Sequence, residues 1–283
     1  MEIKICQETL KTDEGLRMLR RNGYSQSEIN KALQVLGETA LREGSTFFAY
    51  RAYQELGDTE GLRKTAELGL TLKDDIYATL NALRLIKDDE GVRELIKWAS
   101  KDEEGGVLER IIEQDMRKEI EERMTAFKAK YGFNKCVAFP KAITFNAAFN
   151  LIPNYEIGVG IARGGLYSTF VFSTLNLPII LAESHRQEKG TTFRWHDSPD
   201  GIEGKRVLVF DEDISSGRTS KRTLKEILKF RPTSVDLFLN YGEDVSNLSA
   251  VPQGYGKIYT PEMFNFEKFP ELYDILQEKF KPK

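Results

Sequence analysis

Between Tyr155 and Tyr241 the chain alternates two textures at a spacing that leaves few folds open. YEIGVGIA from Tyr155, PIILAE from Pro178, KRVLVFDE from Lys205 and SVDLFLNY from Ser234 are short apolar runs that read as strands buried on both faces. GLYSTFVFSTLN follows the first and TSKRTLKEILKF precedes the last, each long enough for a helix. Strands joined by crossover helices pair in parallel, and the helices then cover both faces of the sheet. The stretch KCVAFPKAITFN, from Lys135, has the same β-branched and aromatic texture and is read as the point where strands begin.

The chain before this region reads as helix after helix. SQSEINKALQVLGETALREG offers Ser25 and Ser27 as N-caps and sets Ile29, Leu33, Leu36 and Leu41 near one face. DTEGLRKTAELG from Asp58 and DDEGVRELIKWA from Asp88 align on Glu-Gly-apolar-Arg, and TDEGLRMLRR from Thr12 is a looser copy. Such spacing suits stacked helix hairpins of the tetratricopeptide kind, although a non-repetitive helical domain with similar N-caps reads equally well. The expected division is an all-α domain over 1–117 and an α/β domain over 118–283, with the helix from Gly106 joining them. A helical array of this kind offers a surface for a protein partner or for self-association.

Composition narrows the function classes. The balance of 41 basic against 44 acidic residues, net charge -3, gives no global attraction to nucleic acid or an anionic membrane, so any anion site is local. Cys6 and Cys136 lie far apart without metal-ligand spacing, which fits a reducing cytosol. The N-terminus lacks an apolar core with a cleavage site, and FVFSTLNLPIILA is too short and interrupted to span a bilayer, so a soluble cytoplasmic protein is expected.

In open parallel sheets ligands collect beyond the carboxyl ends of strands. After VLVF come Asp211 and Glu212, then Asp213, Ile214, Ser215, Ser216, Gly217, Arg218 and Thr219, where a helix begins. Backbone amides in such a loop and the positive end of the helix dipole suit a phosphate, with hydroxyls adding donors. Carboxylates repel that anion but accept hydrogen bonds from sugar hydroxyls and balance a sugar that becomes positive. A phosphorylated sugar satisfies both halves of the loop.

VLVFDEDISSGRT resembles the phosphoribosyl pyrophosphate (PRPP) signature of the type I phosphoribosyltransferases. In that pattern apolar strand residues precede two acids, and a hydroxyl residue, Gly, a variable residue and Thr close the loop. Asp211 and Glu212 take the paired acids, Ser216 the hydroxyl, Gly217 the glycine and Thr219 the last threonine. YEIGVGIARGGL looks like the first strand and pyrophosphate loop of that family, with Ala162, Arg163, Gly164 and Gly165 where backbone amides would meet a diphosphate. The polar segment SHRQEKGTTFRWHDSPDGIEGKR falls where relatives carry a mobile lid, and Arg186 and Lys189 match the types that reach the pyrophosphate. His185 and His196 lie in this segment and read as solvated bystanders rather than proton carriers.

The resemblance implies a type I phosphoribosyltransferase-like sheet over the last part of the chain and says nothing about the helical region. It implies Mg²⁺ bridging the diphosphate and ribose hydroxyls, an oxocarbenium-like transition state, and a small-molecule acceptor such as a nucleobase. Two residues depart from the best-known versions. Ser215 stands where hypoxanthine-guanine enzymes carry an Asp, and Asp213 where relatives bury an apolar residue, so Asp213 needs solvent or a basic partner such as Arg218 or Arg222. Tyr255, Tyr259 and Phe264 could stack on a base, but ordinary core packing is the stronger reading. The rival class is a catalytically silent protein that senses PRPP or a nucleotide and passes the signal through the helical array.

Overall fold

A computed structural model of the chain describes residues 12–73, 75–101, 106–131, 140–162, 164–187, 190–212, 218–240 and 253–280. The chain forms two compact units, the first ending at Ile111 and the second running from Ile112.

The described part of the first unit is helical. Helices α1 (Asp13–Arg21), α2 (Gln26–Glu43), α3 (Thr46–Leu56), α4 (Thr59–Leu72), α5 (Ile76–Leu85) and α6 (Asp89–Ala99) follow one another, and α7 (Gly106–Lys130) continues into the second unit. Sequence neighbours pack together, α2 on α3, α3 on α4, α4 on α5 and α5 on α6. The caps are local chemistry: Ser25 and Glu28 form a reciprocal capping box at α2, which satisfies two amides that have no partner within the helix. The aligned motif has one geometry at all three copies, because Thr12, Asp58 and Asp88 each accept the backbone N–H of the glycine three residues on, Gly15, Gly61 and Gly91. Gly61 also lets the preceding helix in. A Cβ there would lie 2.1 Å from the Tyr53 ring, and one on Gly91 would lie 2.4 Å from Leu83.

The second unit is built on a six-stranded sheet with strand order β3-β2-β1-β4-β5-β6. The strands are β1 (Ile157–Ala162), β2 (Ile179–Gln187), β3 (Gly190–Trp195), β4 (Arg206–Asp211), β5 (Ser234–Leu239) and β6 (Ile258–Tyr259). All pairings are parallel except β2 with β3. The antiparallel β2–β3 pair occupies the segment expected to be a lid, with Phe193 and Trp195 packed edge to face.

Each face has its own core. Val159, Ile161, Ile180, Val207, Val209, Val235 and Leu237 line one face with Leu224 and Ile227 of α10 (Arg218–Leu228). On the other, Phe172 of α9 (Leu166–Thr174) sits between Phe210 and Phe238, with ring centroids 4.5 and 5.1 Å away. Because both faces are covered, the strands read as continuous apolar runs instead of alternating ones.

The strand expectation for KCVAFPKAITFN is corrected over its second half. Ala142–Leu151 is a helix, α8, and residues 135–139 lie outside the described set. Ala142, Phe145, Ala147, Ala148 and Leu151 are buried, so the helix has apolar residues around much of its circumference and no clear period to read. Its one buried amide is satisfied, since Asn146 Nδ2 donates to the carbonyls of Asn265 (2.8 Å) and Phe264 (3.2 Å). A last helix, α11 (Phe269–Lys279), packs on α8.

Candidate ligand site at the carboxyl ends of β1 and β4

The parallel register brings the ends of β1 and β4 side by side, with Gly160 opposite Phe210. Beyond Ala162 the chain turns through Gly164 and Gly165 into α9. The turn is closed by Gly165 N donating to Ile161 O (2.8 Å) and by the Thr169 amide (2.9 Å) and hydroxyl (2.6 Å) both donating to Gly165 O. A Cβ on Gly165 would stand 2.2 Å from the carbonyl oxygen of Phe210, which leaves glycine alone able to start α9 there. A Cβ on Gly164 would meet Glu212 Cβ at 2.7 Å, Asp211 Oδ1 at 3.0 Å and Glu212 N at 3.1 Å. The glycine turn and the acidic pair, more than forty residues apart in the chain, therefore touch.

The two acids differ in environment. Asp211 is 8% exposed; its Oδ1 accepts the Glu212 amide at 2.9 Å and its Oδ2 accepts the Ser220 hydroxyl at 3.3 Å. Its carbonyl accepts the Asn240 amide at the end of β5 (3.2 Å). Glu212 is exposed. One carboxylate is thus held in the frame and the other faces solvent beside it. Of the residues expected to complete the loop, Arg218 is exposed and Thr219 half-buried at the start of α10, while Asp213, Ile214, Ser215, Ser216 and Gly217 lie outside the described residues. The same is true of Arg163 and Lys189, and Arg186 is described only as a β2 backbone position paired with Thr191. Arg222, one of the two partners considered for Asp213, bonds Glu226 at 2.9 Å.

The middle of β2, opposite the end of β1, contributes a further pair. Glu183 is in register with Ala162, and its Oε2 lies 3.3 Å from His196 Nε2, both side chains 19% exposed. The expectation of a solvated His196 gives way to a largely buried pairing, because its backbone amide bonds Leu181 O (2.9 Å) and draws the residue against β2. His185 has no described side chain.

The tail aromatics are packed, as the stronger reading expects. Tyr259 lies against Tyr155 and Phe264. Tyr255 packs on the sheet core and its hydroxyl donates to the Ser220 carbonyl at 3.0 Å. Burial, with the nearby Asp211 charge second, pushes the Tyr255 hydroxyl well above its ordinary range. Neither Ser220 nor Asn240 carries a motif, and only the fold brings them to Asp211.

The arrangement defines a class: an α/β unit with a glycine turn and an acidic pair abutting at the carboxyl edge of a mostly parallel sheet. No family model and no curated protein matches the chain. Solved structures similar to part of it include a purine phosphoribosyltransferase from Pyrococcus horikoshii, 19% identical over 42% of this chain and 85% of that one, TM-score 0.32. A hypothetical protein from Neisseria gonorrhoeae with bound ppGpp is 20% identical over 48% of this chain and 91% of that one, TM-score 0.31. An adenine phosphoribosyltransferase from Thermoanaerobacter pseudethanolicus is 17% identical over 41% and 78%, TM-score 0.30. No helix among the described residues is long and apolar enough to cross a membrane.

Proposed function

We propose that the α/β unit binds PRPP with Mg²⁺ and transfers its phosphoribosyl group to a nucleobase-like acceptor, releasing pyrophosphate. The observation that carries this reading is the contact of Gly164 with Asp211 and Glu212, which sets a turn suited to a diphosphate against acids suited to ribose hydroxyls. Glu212, exposed, reaches the hydroxyls, and Asp211, held by Ser220, keeps a fixed negative charge beside the ribose as its anomeric carbon becomes positive. The C–O bond to pyrophosphate breaks with its electron pair leaving on the pyrophosphate, a C–N bond forms to the acceptor, and the proton of the acceptor nitrogen passes to solvent water. Arg163 with the 164–165 amides, together with Arg186 and Lys189, receives the leaving group, and the loop from Ser215 to Thr219 fixes the 5-phosphate. Most of the rate enhancement then comes from positioning.

The donor set fits a metal that arrives with the substrate. The Glu212 carboxylate is exposed beside the turn, where it would meet such a metal. Mg²⁺ arriving with the substrate beside Glu212 would neutralise charge on the leaving group. A partner-binding or self-associating role for the helical unit is proposed with this activity, because packed helix hairpins offer an extended surface.

The test combines heat denaturation with Mg²⁺ and PRPP and pyrophosphate release against a panel of bases. The expected result is a stabilising shift, release with at least one base, and loss of release when Asp211 and Glu212 become Asn and Gln. Undiminished turnover in that variant removes the assignment. A shift without release for any base replaces transfer by sensing.

A further inference from the structure

We propose that Tyr255 is a positioning residue for the acidic pair, acting through Ser220; the proposal rests on the reading of that pair given above. Two hydrogen bonds in series make the connection. The Tyr255 hydroxyl donates to the Ser220 carbonyl at 3.0 Å, and the Ser220 hydroxyl donates to Asp211 Oδ2 at 3.3 Å. The other oxygen of Asp211 accepts the Glu212 amide at 2.9 Å, so the orientation of this carboxylate sets the course of the backbone into Glu212. Ser220 is 1% exposed and stands in the first turn of α10, the helix that opens directly after the phosphate-type loop. One tyrosine thus ties the start of that helix to the rest of the unit at the residue that also holds Asp211.

The tyrosine is itself fixed from two sides. Gly256 N donates to Val235 O and Leu237 N to Lys257 O, both at 2.9 Å, and β6 pairs with β5 directly afterwards. Its segment therefore moves with the sheet edge. On the other side Gly254, at φ +116, runs close enough to α10 that a Cβ on it would lie 3.1 Å from Leu224. The Tyr255 ring packs on the core between sheet and α10. The sheet supplies Asp211 from β4 and, through β5, β6 and Tyr255, also sets where α10 begins. The distance between a sugar-facing acid and the phosphate-type loop is then fixed by one rigid path. A reacting sugar spanning both would lose affinity and rate from small errors in that distance.

Tyr255→Phe removes the hydroxyl and keeps the packed ring. The readout is hydrogen exchange at the Glu212 amide in the protein without ligand, since this N–H bonds the carboxylate in question. Leu237, whose amide reports the β5 edge, is the control. Tyr255→Phe is expected to speed Glu212 exchange about fivefold to tenfold, the scale of one buried hydrogen bond, with Leu237 unchanged. Ser220→Ala should speed Glu212 exchange at least as much, and the double variant should add nothing to Ser220→Ala, because the two act in series. Unchanged Glu212 exchange in Tyr255→Phe overturns the proposal. So do additive effects, or equal acceleration at Glu212 and Leu237, which would mark general loosening. Should the phenylalanine variant fail to fold, Tyr255→Met, which keeps an apolar side chain and carries no donor, takes its place, and the same three outcomes decide. Exchange is read without PRPP, so a wild-type protein that ignores PRPP removes the functional reading while the amide rates decide the brace.

Discussion

Gly164 lies against Glu212 so closely that a Cβ on the glycine would stand 2.7 Å from the Cβ of the glutamate. Its neighbour Gly165 is tighter still, with Phe210 O 2.2 Å from the same imagined atom, but the obstacles differ in kind. Glu212 is an exposed residue at a strand end, whereas Phe210 O belongs to the central β4 ladder.

Gly165→Ala is therefore expected to cost about 1–3 kcal/mol of stability, since an added methyl must move backbone. Gly164→Ala should cost less stability and more PRPP affinity, because Glu212 can yield at the expense of its place in the site. Urea midpoints and PRPP titrations of the two variants check the contrast; equal stability losses would contradict it.

The acids separate in the same way. Asp211→Ala strips partners from the buried Ser220 hydroxyl and the Glu212 amide and is expected to destabilise by about 1–3 kcal/mol. Glu212→Ala, on an exposed side chain, should fall within about 0.5 kcal/mol of wild type while abolishing turnover. Thermal melts beside pyrophosphate release measure both, and a destabilised Glu212→Ala would contradict the contrast between the two acids.

The parallel sheet was legible because β1 and β4 are buried along nearly all their length and, with the short apolar stretches of β2 and β5, are bounded by Gly, Pro or charge. Residues 142–151 were not legible as a helix, since Ala142, Phe145, Ala148 and Leu151 are buried around a segment whose β-branched and aromatic content mimics a strand. At the site, the acids and the glycine turn were legible as separate motifs. Their contact was not, because it depends on the register of β1 against β4. Ser220, Asn240 and Tyr255 carry no local signal: each matters through one hydrogen bond to a residue distant in sequence, or through the strand end it occupies.

In the helical unit Tyr53 is enclosed by two glycines. A Cβ on Gly61 would lie 2.1 Å from its ring and one on Gly37 2.7 Å from it, and the ring is 3% exposed, so it has nowhere to move. Gly61→Ala gains up to about 1 kcal/mol of helix propensity but is expected to lose about 1–3 kcal/mol to overpacking. The net outcome is destabilisation, unlike an exposed Gly→Ala in a helix. Calorimetry of Gly61→Ala decides the sign, and a raised melting temperature would contradict the close packing.

The alkaline limb of stability carries the signature of Tyr155. Its hydroxyl donates to Asp236 Oδ2 at 2.6 Å and lies 3.3 Å from the Tyr259 hydroxyl. Burial first, then the bond to Asp236, pushes it far above its ordinary value of 10.0. The fold thus favours the protonated phenol. Below pH 10 both states hold the proton and the contribution is fully present. Above it the unfolded chain releases the proton and the folded chain keeps it, so stability falls as pH rises, by up to about 1.4 kcal/mol per pH unit for one group. Tyr50, Tyr53 and Tyr255 are raised by burial too and supply a slope that a change at Tyr155 leaves in place. Tyr155→Phe is expected to lower stability at neutral pH by about 1.5–3 kcal/mol, the value of a hydrogen bond to a carboxylate, and to flatten the decline between about pH 10 and 11 by one proton's worth. Urea unfolding of both proteins across that range measures the two slopes, and identical slopes would show that Tyr155 does not hold its proton in the fold.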